Sequence, residues 1–179
     1  GIAIAAGLIG ELYSVQGQFK EAISHLKQYF ELSKQLNYQK GMAKAVNTLG
    51  DVYHFMGEYD TSVGYYQRAI DIARKIDNKL VLGYSLVEQC LPLMELNRLD
   101  EVELLLAEAG EIARHLGNRE LEFDILLQEA MLLRAKGERE QAAELLHKLY
   151  GSAEQAEARA SVAYELWKAL GTSAWRDES

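Results

Sequence analysis

The stretch that decides the fold is AVNTLGDVYHFMGEYDTSV, residues 45–63, because an earlier stretch, AAGLIGELYSVQGQFKEAI at residues 5–23, repeats its pattern forty residues upstream. Gly10 aligns with Gly50, Tyr13 with Tyr53 and Gly17 with Gly57, and Phe19 stands against Tyr59. The same period joins IDIARKIDN, from Ile70, to GEIARHLGN, from Gly110, matching Ile72 with Ile112, Ala73 with Ala113, Arg74 with Arg114 and Asn78 with Asn118. Two separate stretches sharing one period are the signature of an internal repeat.

The period persists where identity is lost. Steps of forty from Gly17 and Gly57 lead to Asn97 and Gly137, residues that tolerate positive φ and suit a left-handed helix C-cap. Gly10, Gly50, Cys90 and Ala130 form a small column, as two closely approaching helix backbones require. Ala22, Ser62, Val102 and Ala142 form a second modest column, and Leu26, Tyr66, Leu106 and Leu146 a large apolar one. Between these landmarks apolar residues recur at helical spacing, as in Leu8, Ile9, Leu12 and Val15, in Leu26, Tyr29, Phe30 and Leu36, and in Leu104, Leu105, Ile112 and Leu116. The reading is nine helices, over 2–16, 19–36, 41–56, 59–76, 79–96, 99–116, 119–136, 139–150 and 153–170. Connections this short make successive helices antiparallel, so each unit is a helical hairpin that must stack on its neighbour to bury its faces. The expectation is one all-α domain without a linker, with units at 3–40, 41–78, 79–118 and 119–150 and a capping helix over 153–170 that carries Glu154, Glu157 and Arg159 outward.

At these columns the chain resembles the tetratricopeptide repeat. The second unit fills the family's positions with Val46, Leu49-Gly50, Tyr53, Gly57, Tyr59, Ser62, Tyr66 and Ala69. The first fills them with Ala6, Ile9-Gly10, Tyr13, Gly17, Phe19, Ala22 and Leu26, and departs at Tyr29. Later units are weaker, with Leu93 and Leu133 for the tyrosine, Gln89 and Glu129 for the leucine, and Arg139 for the aromatic. The resemblance spans residues 3–150. The family's usual unit has thirty-four residues and ends in Pro, whereas here the period is forty and no unit ends that way. The variant is similar to the longer-helix repeats of kinesin light chains, bacterial Rap regulators and the arrays of large bacterial signalling ATPases, cyclases and transcription regulators. The segment AYELWKALG, from Ala163, looks like the end of such an array.

That resemblance implies a right-handed α-solenoid whose concave face is lined by the first helix of each hairpin. Carried across, those positions are Glu11 and Ser14, then Asn47, Asp51 and His54, then Glu88, Leu91 and Met94, then Gln128, Met131 and Arg134. Helical geometry by itself places Asn47, Asp51 and His54 on one stripe, at spacings of four and three. The Asn amide both donates and accepts, which suits a peptide backbone. Asp51, Glu11 and Glu88 favour Lys or Arg on a ligand, and Met94 and Met131 supply an adaptable apolar floor. The expected function is a non-catalytic module that binds a peptide segment or helix of a partner in this groove, within a larger regulatory or signalling protein. The alternative is a spacer or self-association module that uses its ends or convex face.

Composition narrows the field. The 179 residues are 49% hydrophobic and 26% charged, with one Pro and one Cys, enough for a substantial core and too few cysteines for a disulfide or zinc scaffold. The net charge of −8 lies entirely in residues 91–179, with ten Lys/Arg and eighteen Asp/Glu, against nine of each in residues 1–90. Phosphate binding needs the opposite sign, so nucleic acid is not an expected partner. The longest charge-free stretch, Gly1 to Gly10, is half the length of a membrane-crossing helix and lacks a basic flank. It reads as a buried helix start in an excised fragment, and a cytoplasmic location is expected. No cofactor or metal is expected. His25, His54, His115 and His147 are scattered, the pairs Glu101/Glu103 and Glu120/Glu122 point to different sides of a helix, and no phosphate-binding glycine loop or nucleophile elbow surrounds Ser33 or Ser161. Cys90 belongs to the small buried column rather than to a reactive site. Pro92, inside the helix expected at 79–96, predicts a kink.

Overall fold

A computed structural model describes residues 1–152 and 156–170, and the regular structure among them is all helix. The helices are α1 (Ile2–Val15), α2 (Phe19–Gln35), α3 (Gln39–Phe55), α4 (Tyr59–Lys75), α5 (Lys79–Glu95), α6 (Leu99–Leu116), α7 (Arg119–Ala135), α8 (Arg139–Ser152) and α9 (Ala156–Leu170). They fall into two compact units, one of Gly1–Arg98 holding α1 to α5 and one beginning at Leu99 and holding α6 to α9.

One turn serves odd and even helices alike. Gly17, Asn37, Gly57, Asp77, Asn97, Gly117 and Gly137 all have positive φ, between 50° and 87°, at intervals of twenty residues. The residue after each sends its N–H back to the carbonyl five residues earlier, as from Gln18 to Tyr13 (2.9 Å), Tyr38 to Ser33 (2.7 Å) and Asn118 to Ala113 (3.1 Å). That is the six-to-one bond of the Schellman motif, which satisfies a carbonyl that the helix end leaves open. The column at 17, 57, 97 and 137 was legible as a C-cap. The interleaved column at 37, 77 and 117 was not, although Asn, Asp and Gly are the residues that occupy this conformation. The aligned Asn78 and Asn118 are N-caps, accepting from Val81 N (3.1 Å) and Leu121 N (3.0 Å).

The small and large columns meet as their spacing requires. A Cβ on Gly10 would lie 2.7 Å from Leu26 Cγ, and one on Gly50 would lie 2.9 Å from the Tyr66 ring. In the second unit Ala130 shares a core with Leu146, Leu149, Val162 and Leu166. Cys90 is fully buried, donates to Leu86 O at 3.3 Å, and has its thiol pushed up to about 12 by burial, as fits a small core residue. In the first unit Ala22, Leu26, Leu49 and Val52 form a core flanked by Tyr13, Tyr53 and Tyr65, with Tyr53 and Tyr65 stacked 5.1 Å apart.

Four expectations are corrected or fall out of view. Helix α3 begins two residues before the expected 41, because Gly41 is not a start signal. It gives room to Ser33 Oγ and Tyr38, which its Cβ would meet at 2.6 Å and 2.3 Å. Helix α8 runs two residues past the expected 150, through Gly151 to Ser152, whose Oγ donates to Leu149 O at 3.0 Å. The opening stretch is helical and buried on one side only, with Ala3, Ala6, Gly7 and Gly10 buried and Ile2, Ile4, Leu8 and Ile9 exposed. Residues 153–155, with Glu154, and the side chain of Glu157 lie outside what is described. Helix α5 runs continuously through the buried Pro92.

Candidate functional site

In the first unit α3 packs beside both α1 and α5, and polar side chains bridge the three. Lys44 on α3 pairs with Glu11 on α1 at 2.8 Å, and that carboxylate raises the lysine's pKa. Asn47 on α3 donates from Nδ2 to Glu88 on α5 and accepts at Oδ1 from Ser85 Oγ at 2.8 Å. Two residues expected to face a ligand, Asn47 and Glu88, therefore bind each other. Of the amide's two N–H groups and two lone pairs, one of each is engaged. What remains is held in a fixed orientation on a half-buried surface.

Asp51, one helical turn beyond Asn47, accepts from Tyr66 Oη at 2.5 Å, which ties α3 to α4. Burial pushes its carboxyl up to about 6 despite that bond, with a further upward contribution from Glu11. The Tyr66 hydroxyl is raised strongly, first by burial and then by the Asp51 charge. His54 completes the stripe. Its ring lies 5.5 Å from Tyr59 and 5.9 Å from Phe55, burial lowers its pKa against an opposing effect of Glu95, and Nδ1 is buried without a hydrogen-bond partner. Leu91 and Met94 are half-buried on α5, whereas Ser14 on α1 is buried.

In the second unit Gln128 is buried with Oε1 unpartnered, Met131 is half-buried, and Arg134 Nε lies 3.6 Å from Glu165 Oε2 on α9. Lys168 donates to the same buried carboxylate at 2.8 Å. Arg134 is thus occupied by an acidic partner that the repeat columns did not reveal.

Sequence reading missed Lys44, Ser85 and Glu165. Ser85 carried a signal, since it is the polar member of a column whose other members are Ala5, Ala45 and Ile125. Gln89, which departs from the leucine of its column, explains itself in the same way by donating to Val63 O on α4 at 3.1 Å. Among the described residues no group of three His, Cys, Asp or Glu is placed to hold a metal ion, and no helix is long and apolar enough to cross a membrane.

Residues 1–75 match the tetratricopeptide repeat family. No curated protein sequence matches the chain. Among solved structures, a kinesin light chain protein of Podosopora anserina with nearly identical TPR-like repeats has a TM-score of 0.69 at 18% identity, covering 97% of this chain and 88% of that one. The Rap conjugation gene regulator of the plasmid pLS20, in complex with the Phr* peptide, has a TM-score of 0.80 at 20% identity over 97% of this chain and 49% of that one. A Rap protein complexed with competence and sporulation factor has a TM-score of 0.68 at 16% identity over 94% and 51%. The chain spans about half the length of these two Rap proteins. The first two hairpins thus carry the sequence pattern of the tetratricopeptide repeat, and nearly the whole length of the chain has the fold of these helical repeat proteins.

Proposed function

We propose that the chain is a non-catalytic protein interaction module, acting in the cytoplasm within a regulatory or signalling protein, and that the face of α1, α3 and α5 holds a peptide segment or helix of a partner. The observation that carries this reading is the half-used amide of Asn47. Ser85 and Glu88 fix it in place and leave one donor and one acceptor for a peptide backbone, which lowers the ordering cost of capture. Leu91 and Met94, both half-buried, add apolar surface. Glu11 is neutralised by Lys44, so attraction for Lys or Arg on the ligand falls to Glu88 and Asp51. The Rap conjugation gene regulator solved with the Phr* peptide supports a peptide as the ligand class.

A phage-displayed library of acidic and basic peptides tests the reading. Selection enriches peptides containing Lys or Arg. Replacing Asn47 by Ala and Glu88 by Gln together weakens the selected peptide by about tenfold or more, the equivalent of one to two lost hydrogen bonds. Affinity also falls as salt rises from about 0.05 to 0.5 M. Affinity unchanged by the double substitution would overturn the proposal.

A further inference from the structure

Three helices of the first unit each bring a carboxylate to the peptide face: Glu11 from α1, Asp51 from α3 and Glu88 from α5. Their partners differ in charge. Glu11 is countered by the Lys44 ammonium at 2.8 Å, and Glu88 receives the Asn47 amide. Asp51 receives the Tyr66 hydroxyl at 2.5 Å, and no cation among the described residues acts on it. Tyr66 reaches it from α4 and is 2% exposed, so the phenol is a fixed donor whose one proton is committed to Oδ1. The other groups around the pair supply no compensating charge. Glu11 acts on Asp51 from α1, Glu88 acts on Tyr66 from α5, and Tyr29 of α2 acts on Lys44 rather than on Asp51. On α3 itself Asn47 is neutral, and burial disfavours the charged form of His54. A half-buried carboxyl in these surroundings keeps its proton up to about 6. A basic side chain arriving on the face supplies the opposite charge that the fold omits, and so favours the ionised form.

We propose, building on the peptide reading above, that a basic side chain seated beside Asp51 drives one proton off its carboxyl, so that the face holds its ligand at neutral pH and releases it in mild acid. Tyr66 is the positioning residue that sets where the change falls. The proton passes from the Asp51 carboxyl to water, the carboxylate keeps the electron pair of the broken O–H bond, and Tyr66 keeps its own proton. Because the ligand favours the ionised carboxyl, affinity is full above about 6 and falls as pH drops below it. Where the ligand's charge returns the carboxyl to its ordinary 3.8, affinity drops about tenfold between about pH 7 and pH 5.

The probe is an Arg-containing peptide enriched by the selection above, resynthesised with both ends blocked and without His, Asp, Glu or Cys, so that it does not itself titrate. Fluorescence anisotropy follows its binding to the whole chain from about pH 5 to pH 7 at constant ionic strength. The parent loses about tenfold more affinity over this range than Asp51→Asn, which retains every other titrating group, His54 included. Calorimetry at about pH 6, in two buffers of different ionisation enthalpy, reads about half a proton more released by the parent than by Asp51→Asn. Tyr66→Phe keeps the ring and removes the donor that favours the carboxylate, so the midpoint of the pH profile moves upward. A merely structural Tyr66 would weaken binding without moving that midpoint. Circular dichroism checks that each variant is folded at each pH. Parallel profiles for the parent and Asp51→Asn, with the peptide still weakened by the paired Asn47 and Glu88 substitutions, overturn the proton coupling and leave the peptide face standing. A selection that yields no peptide, or a peptide indifferent to those two substitutions, overturns both. An unmoved midpoint in Tyr66→Phe overturns the role given to Tyr66.

Discussion

Replacing Gly50 by Ala places a methyl group 2.9 Å from each of three Tyr66 ring atoms, where ordinary contact needs about 3.5–4.0 Å. The ring cannot retreat freely. Tyr66 is 2% exposed, its hydroxyl is bound to Asp51, and Ser62 Oγ fixes the backbone by donating to Gly50 O at 2.8 Å. Overpacking of this kind costs about 1–3 kcal/mol. The gain from Ala over Gly in a helix interior returns about 1 kcal/mol. The net expectation is a loss of up to about 2 kcal/mol. Gly64, inside α4, is the matched control, because nothing lies within 4 Å of its Cβ position. There the same substitution stabilises by about 0.5–1 kcal/mol through backbone entropy. Urea unfolding followed by far-ultraviolet circular dichroism measures both. Two shifts of the same sign would refute the view that Gly50 is small because two helices touch there.

Two further outcomes rest on single residues. The Asp51 carboxyl sits at about 6 in the fold against an ordinary 3.8, so its favourable contribution is full below about pH 4 and is lost as pH rises through about 6. Asp51→Asn keeps an acceptor for Tyr66 without the charge and stabilises the chain by about 1–3 kcal/mol at pH 7, with no change near pH 4; an equal gain at both, by denaturant titration, would count against the assignment. At Asn97, with φ of 57°, Gly is tolerated whereas Val lowers stability by about 1–2 kcal/mol, seen as a lower Tm. A Val variant as stable as the parent would remove the left-handed turn from the account.

The candidate site was only partly readable. Columns forty residues apart report which side of a helix a position occupies, and so placed Asn47, Asp51 and His54 on one stripe. They do not report which side chain on the neighbouring helix is within reach. Asn47 to Glu88, Glu11 to Lys44 and Arg134 to Glu165 join residues that belong to different columns, and no periodicity predicts such pairs.

Helix number, the turns at 17, 57, 97 and 137 and the meeting of small with large residues were determined by sequence alone. These are local matters: a residue able to adopt positive φ, a stripe at helical spacing, and a side chain small enough for a neighbouring backbone. Tertiary structure decided which polar groups remain available, because that depends on distances of a few ångströms between helices far apart in the chain. It also decided that Ile9 and Leu12 stand in water while their equivalents Leu49 and Val52 do not. The chemistry of the two pairs is the same, and only the presence of a covering helix distinguishes them.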